Sequence, residues 1–206
     1  MIQLDTAEKQ FIRSDLKPYL QKNDLKSVIR ICRKAETYNI LAWMLDNGVP
    51  ILKVMDTIPP YFFTEIPLNS VHIPSNVRKI DQLAFRSSQV KYITFDEGLE
   101  EIGTEAFEDS NCRQLKLPNS LTKLASRAFA YSHLSEVFIP DSITVLPIGL
   151  FDTCKDDLIV YANSRKNMPS DKKLECPQSE IEWYKKHLKL NLNGQSLENE
   201  ETENNE

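Results

Sequence analysis

The sequence predicts an α+β repeat protein: a solenoid of about five coils, with a helical cap before it and a capping helix after it. The main observation is a fixed period. Phe85, Phe107, Phe129 and Phe151 follow one another at steps of 22 residues, and the apolar residues around them keep the same step. Such a period indicates units that cannot bury their apolar faces alone and therefore stack on their neighbours. Residues 1–48 show helical spacing of apolar residues instead, which predicts the cap.

Each coil opens with an apolar pair that predicts a short strand. The pairs are Val71 and Ile73, Ile93 and Phe95, Leu115 and Leu117, and Val137 and Ile139. If each coil returns to its start one strand spacing away, about 4.8 Å, these strands form a parallel ladder and the phenylalanines form an internal stack. Residues 49–70 fit the same columns as a divergent leading coil, and Ile159 with Tyr161 fits them as the inward residues of a closing strand.

The residue pattern of the coils resembles that of a known family. Val71 to Ile80 followed by Ala84-Phe85, and Val137 to Leu146 followed by Leu150-Phe151, are similar to the BspA-like leucine-rich repeat, also called the Treponema pallidum type. That pattern is an apolar strand ending in Ile-Pro, then Val-x-x-Ile, then Ala-Phe. The resemblance covers residues 49–162 and implies a leucine-rich-repeat solenoid that serves as a protein-binding scaffold, in a family that includes surface adhesins. The chain departs from the pattern at Asp96, where proline is usual, and by having only Cys154 near the place of the usual cysteine.

The cap, residues 1–48, is expected to contain three helices. Asp5 with Glu8 has the spacing of a capping box, and Pro18 should end or kink the first helix. A second helix from about Asp24 carries Leu25, Val28, Ile29 and Cys32 on one face, and a third runs from about Thr37 to Gly48. We expect this bundle to cover the first coil, or alternatively to bind a partner itself.

The last part of the chain is expected to close the solenoid. Residues 163–190 form a C-terminal cap in which Ser179 and Glu182 have capping-box spacing at the start of a helix. That helix is expected to fold over the last coil and protect its strand edge. Residues 191–206 are acidic and polar and are predicted to be disordered.

Composition and motifs argue against catalysis. The chain's formal charge is −5, but the tail from Gln195 to Glu206 holds five glutamates and no basic residue, so the remainder is balanced. His72, His133 and His187 have no nucleophile or carboxylate at a recognisable motif spacing, and no phosphate-binding loop, dinucleotide fingerprint or zinc-ligand pair is present. We therefore predict a non-enzymatic protein with no cofactor and no metal.

The cellular setting is also an expectation. The start of the sequence has no signal-peptide pattern, no stretch approaches a membrane span, and the four cysteines stand at wide spacings. Together with the resemblance, this predicts a cytoplasmic protein of a bacterial or phage-infected cell, encoded by the bacterium or by the phage, whose thiols are reduced.

The predicted function is protein–protein interaction, with a protein partner of unknown identity that it could bind or inhibit stoichiometrically. Strand alternation sends His72, Thr94, Lys116, Phe138 and Val160 to the face away from the core. The candidate partner-binding residues are Tyr92, Lys116, Phe138, Val160, Leu158 and Trp183. A covered, purely structural role for the apolar members is the competing interpretation. A second row of alternating charge, Arg78-Lys79, Glu100-Glu101 and Thr122-Lys123, is expected to form cross-coil ion pairs.

Two alternatives remain open from the sequence. One is a cell-surface adhesin, which would need an export signal. The other is nucleic-acid binding by the second helix, where Lys22, Lys26, Arg30 and Arg33 recur at helical spacing. A solvated helix face explains these basic residues equally well.

Overall fold

A computed structural model describes residues 2–64, 66, 68–163 and 177–191. Its helical elements are α1 (Thr6–Phe11), a π-helical turn (Ile12–Leu16), α2 (Lys17–Leu20), α3 (Leu25–Lys34), α4 (Tyr38–Asp46), two 3₁₀ turns (Ile51–Val54 and Gln178–Glu180) and α5 (Ile181–His187). The strands are β1 (Thr57–Ile58), β2 (Ser70–Ile73), β3 (Lys79–Ile80), β4 (Tyr92–Phe95), β5 (Glu101–Ile102), β6 (Gln114–Lys116), β7 (Lys123–Leu124), β8 (Glu136–Ile139), β9 (Ile159–Asn163) and β10 (Leu188–Asn191).

The N-terminal helices begin and end largely where the sequence predicts. The capping box is present: the Glu8 N–H donates to Asp5 Oδ1 at 2.7 Å, and the Asp5 N–H donates to Glu8 Oε2 at 2.8 Å. The predicted third helix is α4, and Gly48 follows its end with a φ of +78°. The Val49 N–H donates to the Met44 carbonyl at 2.8 Å. This is a helix end in which a left-handed glycine turns the chain and satisfies the last carbonyls.

Pro18 has a different effect from the predicted helix end or kink. The chain passes from α1 through the π-helical turn into α2, and Pro18 lies in the first turn of α2. Proline lacks an N–H and its ring clashes with a carbonyl four residues earlier, so a local widening of the helix lets the chain continue past it.

The solenoid has two parallel sheets, each receiving one strand from successive coils. The long sheet has the order β10-β9-β8-β6-β4-β2, and the short sheet has the order β1-β3-β5-β7. Pairing follows the 22-residue step: Val71 pairs with Ile93, Leu115 with Val137, and Ile80 with Ile102. The predicted parallel ladder is therefore confirmed, and one continuous hydrophobic core runs from Ile2 in the cap to Tyr184 in α5.

The phenylalanine stack is confirmed and is longer than the four rings that predicted it. Phe63 of the leading coil stacks on Phe85 at 4.4 Å between ring centroids, and the following steps measure 4.8, 5.4 and 5.7 Å up to Phe151. The backbone joins in, because the Phe85 and Phe107 N–H groups donate to the Ala106 and Ala128 carbonyls at 2.7 and 2.8 Å. Each of these rings thus stacks on the ring of the next coil, and the backbone amide of the same residue donates to a carbonyl of that coil.

The leading coil keeps the apolar columns but not the strand of the later coils. Ile51–Val54 forms a 3₁₀ turn in the place of the first strand, while β1 pairs with β3 in the short sheet. Ile51, Ile58 and Phe63 are fully buried, as the column positions predict. The edge of the long sheet therefore begins one coil later than the edge of the short sheet.

Two columns of positions in the described coils adopt a left-handed backbone. Positive φ values recur at the same step in two columns, Tyr61, Leu83, Glu105, Arg127 and Gly149 in one and Ser87, Asp109, Tyr131 and Thr153 in the other. In the coils before the last one, the N–H at these positions points to the next coil: Asp109 donates to the Ala130 carbonyl at 3.0 Å and Tyr131 to the Asp152 carbonyl at 2.8 Å. Since non-glycine residues rarely adopt this conformation, the inter-coil bonds stabilise it against its intrinsic cost.

The C-terminal end differs in part from the prediction. The predicted helix is present as α5, but the chain then adds β10, which pairs in parallel with β9. The strand edge of the last coil is therefore covered by another strand rather than by the helix. Asn191, expected in the disordered tail, is the last residue of β10, and residues 192–206 lie outside the described residues.

Replacing Phe107 by alanine tests the ring stack. Phe107 is fully buried between two rings, so Phe107→Ala should lower the free energy of unfolding by about 3 to 5 kcal/mol. Tyr92→Ala is the control, because Tyr92 is 62% exposed and its loss should change stability by about 0.5 kcal/mol or less. Equal urea midpoints for the two variants would contradict the stack.

Replacing Thr153 by asparagine tests the left-handed columns. Thr153 is β-branched and exposed at φ +55°, whereas asparagine tolerates this conformation, so Thr153→Asn should raise stability by about 0.5 to 1 kcal/mol. Thr144→Asn, at a position without positive φ, should give no gain. Thermal melting checks both, and a lower melting temperature for Thr153→Asn would count against the strain.

Candidate interaction surface

The outer face of the long sheet is the surface on which the sequence places most candidate partner-binding residues. His72, Thr94, Lys116 and Phe138 are register neighbours on consecutive strands and none is buried. The inward neighbours Val71, Leu115 and Val137 are buried. The predicted alternation is therefore confirmed for these four positions.

The prediction for the closing strand is wrong by one residue. Phe138 pairs with Tyr161, a step of 23 residues, because the segment between Phe151 and β9 is one residue longer than in the other coils. A slip of one residue reverses every side chain of a strand. Val160 and Leu158, expected on the surface, are 0% and 1% exposed in the core, and Tyr161, expected inside, lies on the outer face.

The corrected register creates an aromatic pair at the C-terminal half of this face. The Phe138 and Tyr161 rings stack at 4.6 Å with an interplanar angle of 11°, and both side chains are half-buried. Lys116 is the neighbour of Phe138 on β6, and Tyr92 lies exposed on β4. We call Tyr92, Lys116, Phe138 and Tyr161 the aromatic patch. On the sequence alone Tyr161 is expected inside, because Ile159 and Tyr161 fit the apolar columns as well as Leu158, Val160 and Ala162 do.

The N-terminal half of the same face is polar and internally satisfied. His72 Nδ1 lies 3.0 Å from Thr94 Oγ1, and His72 Nε2 lies 3.3 Å from Asp96 Oδ2. Because their polar atoms already have partners within the sheet, these residues offer less to a ligand than the aromatic patch does. Asp96, the departure from the proline of the family pattern, thus has a partner on the adjacent strand.

The row of alternating charge forms the predicted cross-coil ion pairs. Arg78 Nη1 lies 2.9 Å from Glu100 Oε1, and Glu101 lies between Lys79 and Lys123 at 3.3 and 3.2 Å. These pairs are at the surface and each contributes little to stability. They neutralise the charge of this side of the solenoid, so it does not favour a uniformly charged ligand.

Trp183, the remaining candidate for partner binding, extends the ring column. Its ring stacks on Phe151 at 5.7 Å and on His187 at 4.1 Å, and the side chain is half-buried. His187 in turn contacts the Asp156 carbonyl through Nε2 at 3.2 Å, which ties α5 to the last coil. These contacts give Trp183 a structural role, and its use by a partner stays a prediction.

The basic candidates lie on the solvent side of α3. Lys26, Arg30 and Arg33 line one shallow groove with Lys34, Ile29 and Tyr38, and Lys22 lies before the helix and outside that lining. The buried side of α3 holds Leu25, Val28, Ile29 and Cys32, as predicted. The helix is thus amphipathic in the expected sense.

In the described parts of the chain, the histidines and cysteines form neither a metal site nor a reactive thiol site. No group of three or more His, Cys, Asp or Glu residues there is placed to hold a metal ion. Burial raises the pKa of Cys112 to about 12 and that of Cys32 to about 11, so both thiols stay protonated at neutral pH. Among the helices of these residues, none is both long and apolar enough to span a membrane.

Successive coils contribute strands to parallel sheets, their phenylalanine rings stack, and their surface residues pair at a fixed step. Together these features define a repeat-solenoid protein. A family model described as BspA type leucine-rich repeat region matches residues 56–172 in six copies. The chain belongs to this family, whose repeats generally mediate protein–protein interaction or adhesion. No curated protein matches the chain.

Two solved structures are similar to the solenoid. One is the pneumococcal vaccine antigen PcpA, which is 25% identical, with a TM-score of 0.43 over 55% of this chain and 37% of that chain. The other is a leucine-rich repeat protein from Bacteroides ovatus ATCC 8483, which is 23% identical, with a TM-score of 0.38 over 54% of this chain and 36% of that chain. This chain therefore spans a little over a third of the length of either protein.

A column of small polar side chains runs through the coils at the same step as the phenylalanines. Ser88, Ser110, Ser132 and Cys154 follow one another at the 22-residue step, and the three serines are at most 2% exposed. They stand three residues after each column phenylalanine. In this chain small hydroxyl side chains fill that place, with Ser132 Oγ 3.4 Å from Cys154 Sγ.

Glu97 is expected to make a pH-dependent contribution to the stability of the fold. Its carboxylate accepts hydrogen bonds from the Asn119 and Ser120 N–H groups at 3.1 and 2.8 Å. These backbone bonds hold the pKa of Glu97 below its usual value. A lowered pKa means that the carboxylate stabilises the fold above its unfolded pKa, about 4.3, and that this contribution is lost as pH falls through the folded value.

Glu97→Gln should therefore lower the melting temperature at pH 7 and flatten its decline below about pH 5. Asp141→Asn is the matched control, because Asp141 occupies the equivalent turn position two coils later and makes no such bond in the described chain. Parallel pH profiles for the native protein and Glu97→Gln would disprove this role.

Proposed function

We propose that this protein is a non-enzymatic scaffold that binds a protein partner through the aromatic patch on the outer face of the long sheet. The observation that carries the proposal is the exposed Tyr92 together with the stacked Phe138 and Tyr161 on a rigid parallel ladder. Large aromatic side chains on a preorganised surface are the side chains that most often dominate the energy of protein interfaces.

The patch has the dimensions of the centre of an interface. Tyr92 lies on β4 in register with Gln114 and Glu136, two residues before the row that holds Lys116 and Phe138, so Tyr92 and Phe138 are about 12 Å apart across two strand spacings. Half-buried rings lose little conformational freedom on binding, because their neighbours already fix them. Lys116, which has no carboxylate partner in the described chain, would favour a partner with an acid beside an apolar surface.

Family membership supports an interaction function, and the chemistry of the described residues supports the absence of catalysis. The proposed action is stoichiometric: the partner is occupied or inhibited by being bound, and no bond is made or broken. The unpaired thiols of Cys32, Cys112 and Cys154 support a reducing cell interior as the place of action. Fractionation of the source cells tests this location against the surface adhesin alternative.

A charge introduced into the patch should abolish partner binding. Phe138→Glu breaks the ring pair and places a carboxylate at the proposed contact, so the affinity for a partner recovered with the native protein should fall at least ten-fold in a titration. Val145→Glu is the matched control, since Val145 is 57% exposed on the edge of the last coil, away from the patch, and the same change there should preserve binding.

Two further measurements keep this test decisive. Both variants are first compared by thermal melting, and Tyr92→Ala gives a milder change at a position with 62% exposure, where the fold is not at risk. Tyr92→Ala should weaken the same partner several-fold. Unchanged affinity in both Phe138→Glu and Tyr92→Ala would remove the long sheet from the binding function.

A further inference from the structure

A concentration of positive charge lies on the cap, away from the aromatic patch. Lys26, Arg30 and Lys34 are four residues apart and form one line along α3, with Arg33 beside them. They line a shallow groove of about 410 Å³ whose other lining residues are Ile29 and Tyr38. No carboxylate is among its lining residues.

Five basic residues of the solenoid are neutralised by a nearby carboxylate, whereas the four cations of α3 are not. Arg78, Lys79, Arg86, Lys123 and Arg127 each lie within 3.5 Å of a carboxylate. None of the four on α3 has an ion pair within the described chain. Like charges four residues apart on a helix repel, so Lys26, Arg30 and Lys34 raise one another's electrostatic energy. An anionic ligand would relieve that repulsion.

We propose that this groove binds an extended acidic segment of a partner protein, with carboxylates at alternate residues. Along a helix, positions four apart rise by about 6 Å. Along an extended chain, side chains on one side recur at about 6.7 Å. Three carboxylates of such a segment would therefore face Lys26, Arg30 and Lys34 in turn. The guanidinium groups of Arg30 and Arg33 can each hold a carboxylate with two parallel hydrogen bonds.

The surroundings of the groove favour a peptide over a nucleic acid. Single-stranded nucleic acids need aromatic faces on which bases stack. The groove has one aromatic lining residue, Tyr38, which is half-buried and packs against Phe62 with centroids 6.3 Å apart at 75°, so the groove has no series of rings on which successive bases could stack. Asp24 and Glu36 flank the two ends of α3, and their charges would repel a longer phosphate backbone. The basic line therefore suits a short ligand.

The test uses the full chain and a labelled peptide, Gly-Glu-Thr-Glu-Thr-Glu-Gly, in fluorescence anisotropy. Because the chain's own tail carries five glutamates, Glu198, Glu200, Glu201, Glu203 and Glu206, the assay includes a variant with all five changed to glutamine, which removes the acidic side chains that could compete. The peptide should bind this variant, and Lys26→Glu/Arg30→Glu in the same background should weaken binding at least ten-fold. Arg30→Lys, which keeps the charge but loses the two-pronged bond, should weaken it several-fold.

The controls separate a built groove from general charge attraction. Lys53→Glu/Lys155→Glu changes the net charge equally at exposed positions elsewhere and should leave binding intact. A peptide with glutamine for glutamate should not bind. The proposal is overturned if the control pair weakens binding as much as the α3 pair, if millimolar phosphate displaces the peptide, or if oligothymidylate binds the groove more tightly than the peptide. The aromatic patch is untouched by these variants, so either surface can fail without the other.

Discussion

Every coil of this protein must return to its start one strand spacing further on, and the stacked phenylalanines show how strictly the chain obeys that constraint. The rings from Phe63 to Phe151 lie 4.4 to 5.7 Å apart, close to the distance between paired strands. A ring displaced from its column would lose contacts on both sides and would also pull its amide from the carbonyl of the next coil. The aromatic column, the backbone bonds and the two sheets therefore stabilise one another, and no single coil has a core of its own.

The same constraint governs the polar surface, because any residue meets its counterpart from the neighbouring coil. Gln89 receives a hydrogen bond from Asn111, Asp109 receives one from Ser87, and Arg78 meets Glu100. Polar atoms that are satisfied in this way contribute to the spacing of the coils and leave few groups free for a ligand. The aromatic patch and the basic groove stand out because Lys116 of the patch and the four cations of α3 have no carboxylate partner in the described chain.

The sequence was sufficient to predict the elements that depend on periodicity. The step, the ring column, the parallel strands and the three-helix cap followed from apolar residues at regular positions. The errors came where the period changes. One added residue before Ile159 reversed the closing strand, and only the burial of Val160 and Leu158 shows which register is stable. The left-handed columns were invisible because leucine, glutamate, arginine and tyrosine occupy them rather than glycine, and inter-coil hydrogen bonds impose the conformation on those residues.

The ring column ends in the indole of Trp183, and the other tryptophan, Trp43, lies in the cap. Each end of the molecule therefore has its own fluorescence signal. The chain has two tryptophans: Trp183 stacks against Phe151 beyond the last coil, and Trp43 packs against the core in α4 of the cap. In a one-dimensional stack, fraying can start at either end and travel inward. The emission of a protein that keeps only one of the two indoles would report the loosening of that end alone. The order in which the two ends come apart is therefore open to measurement without any added label.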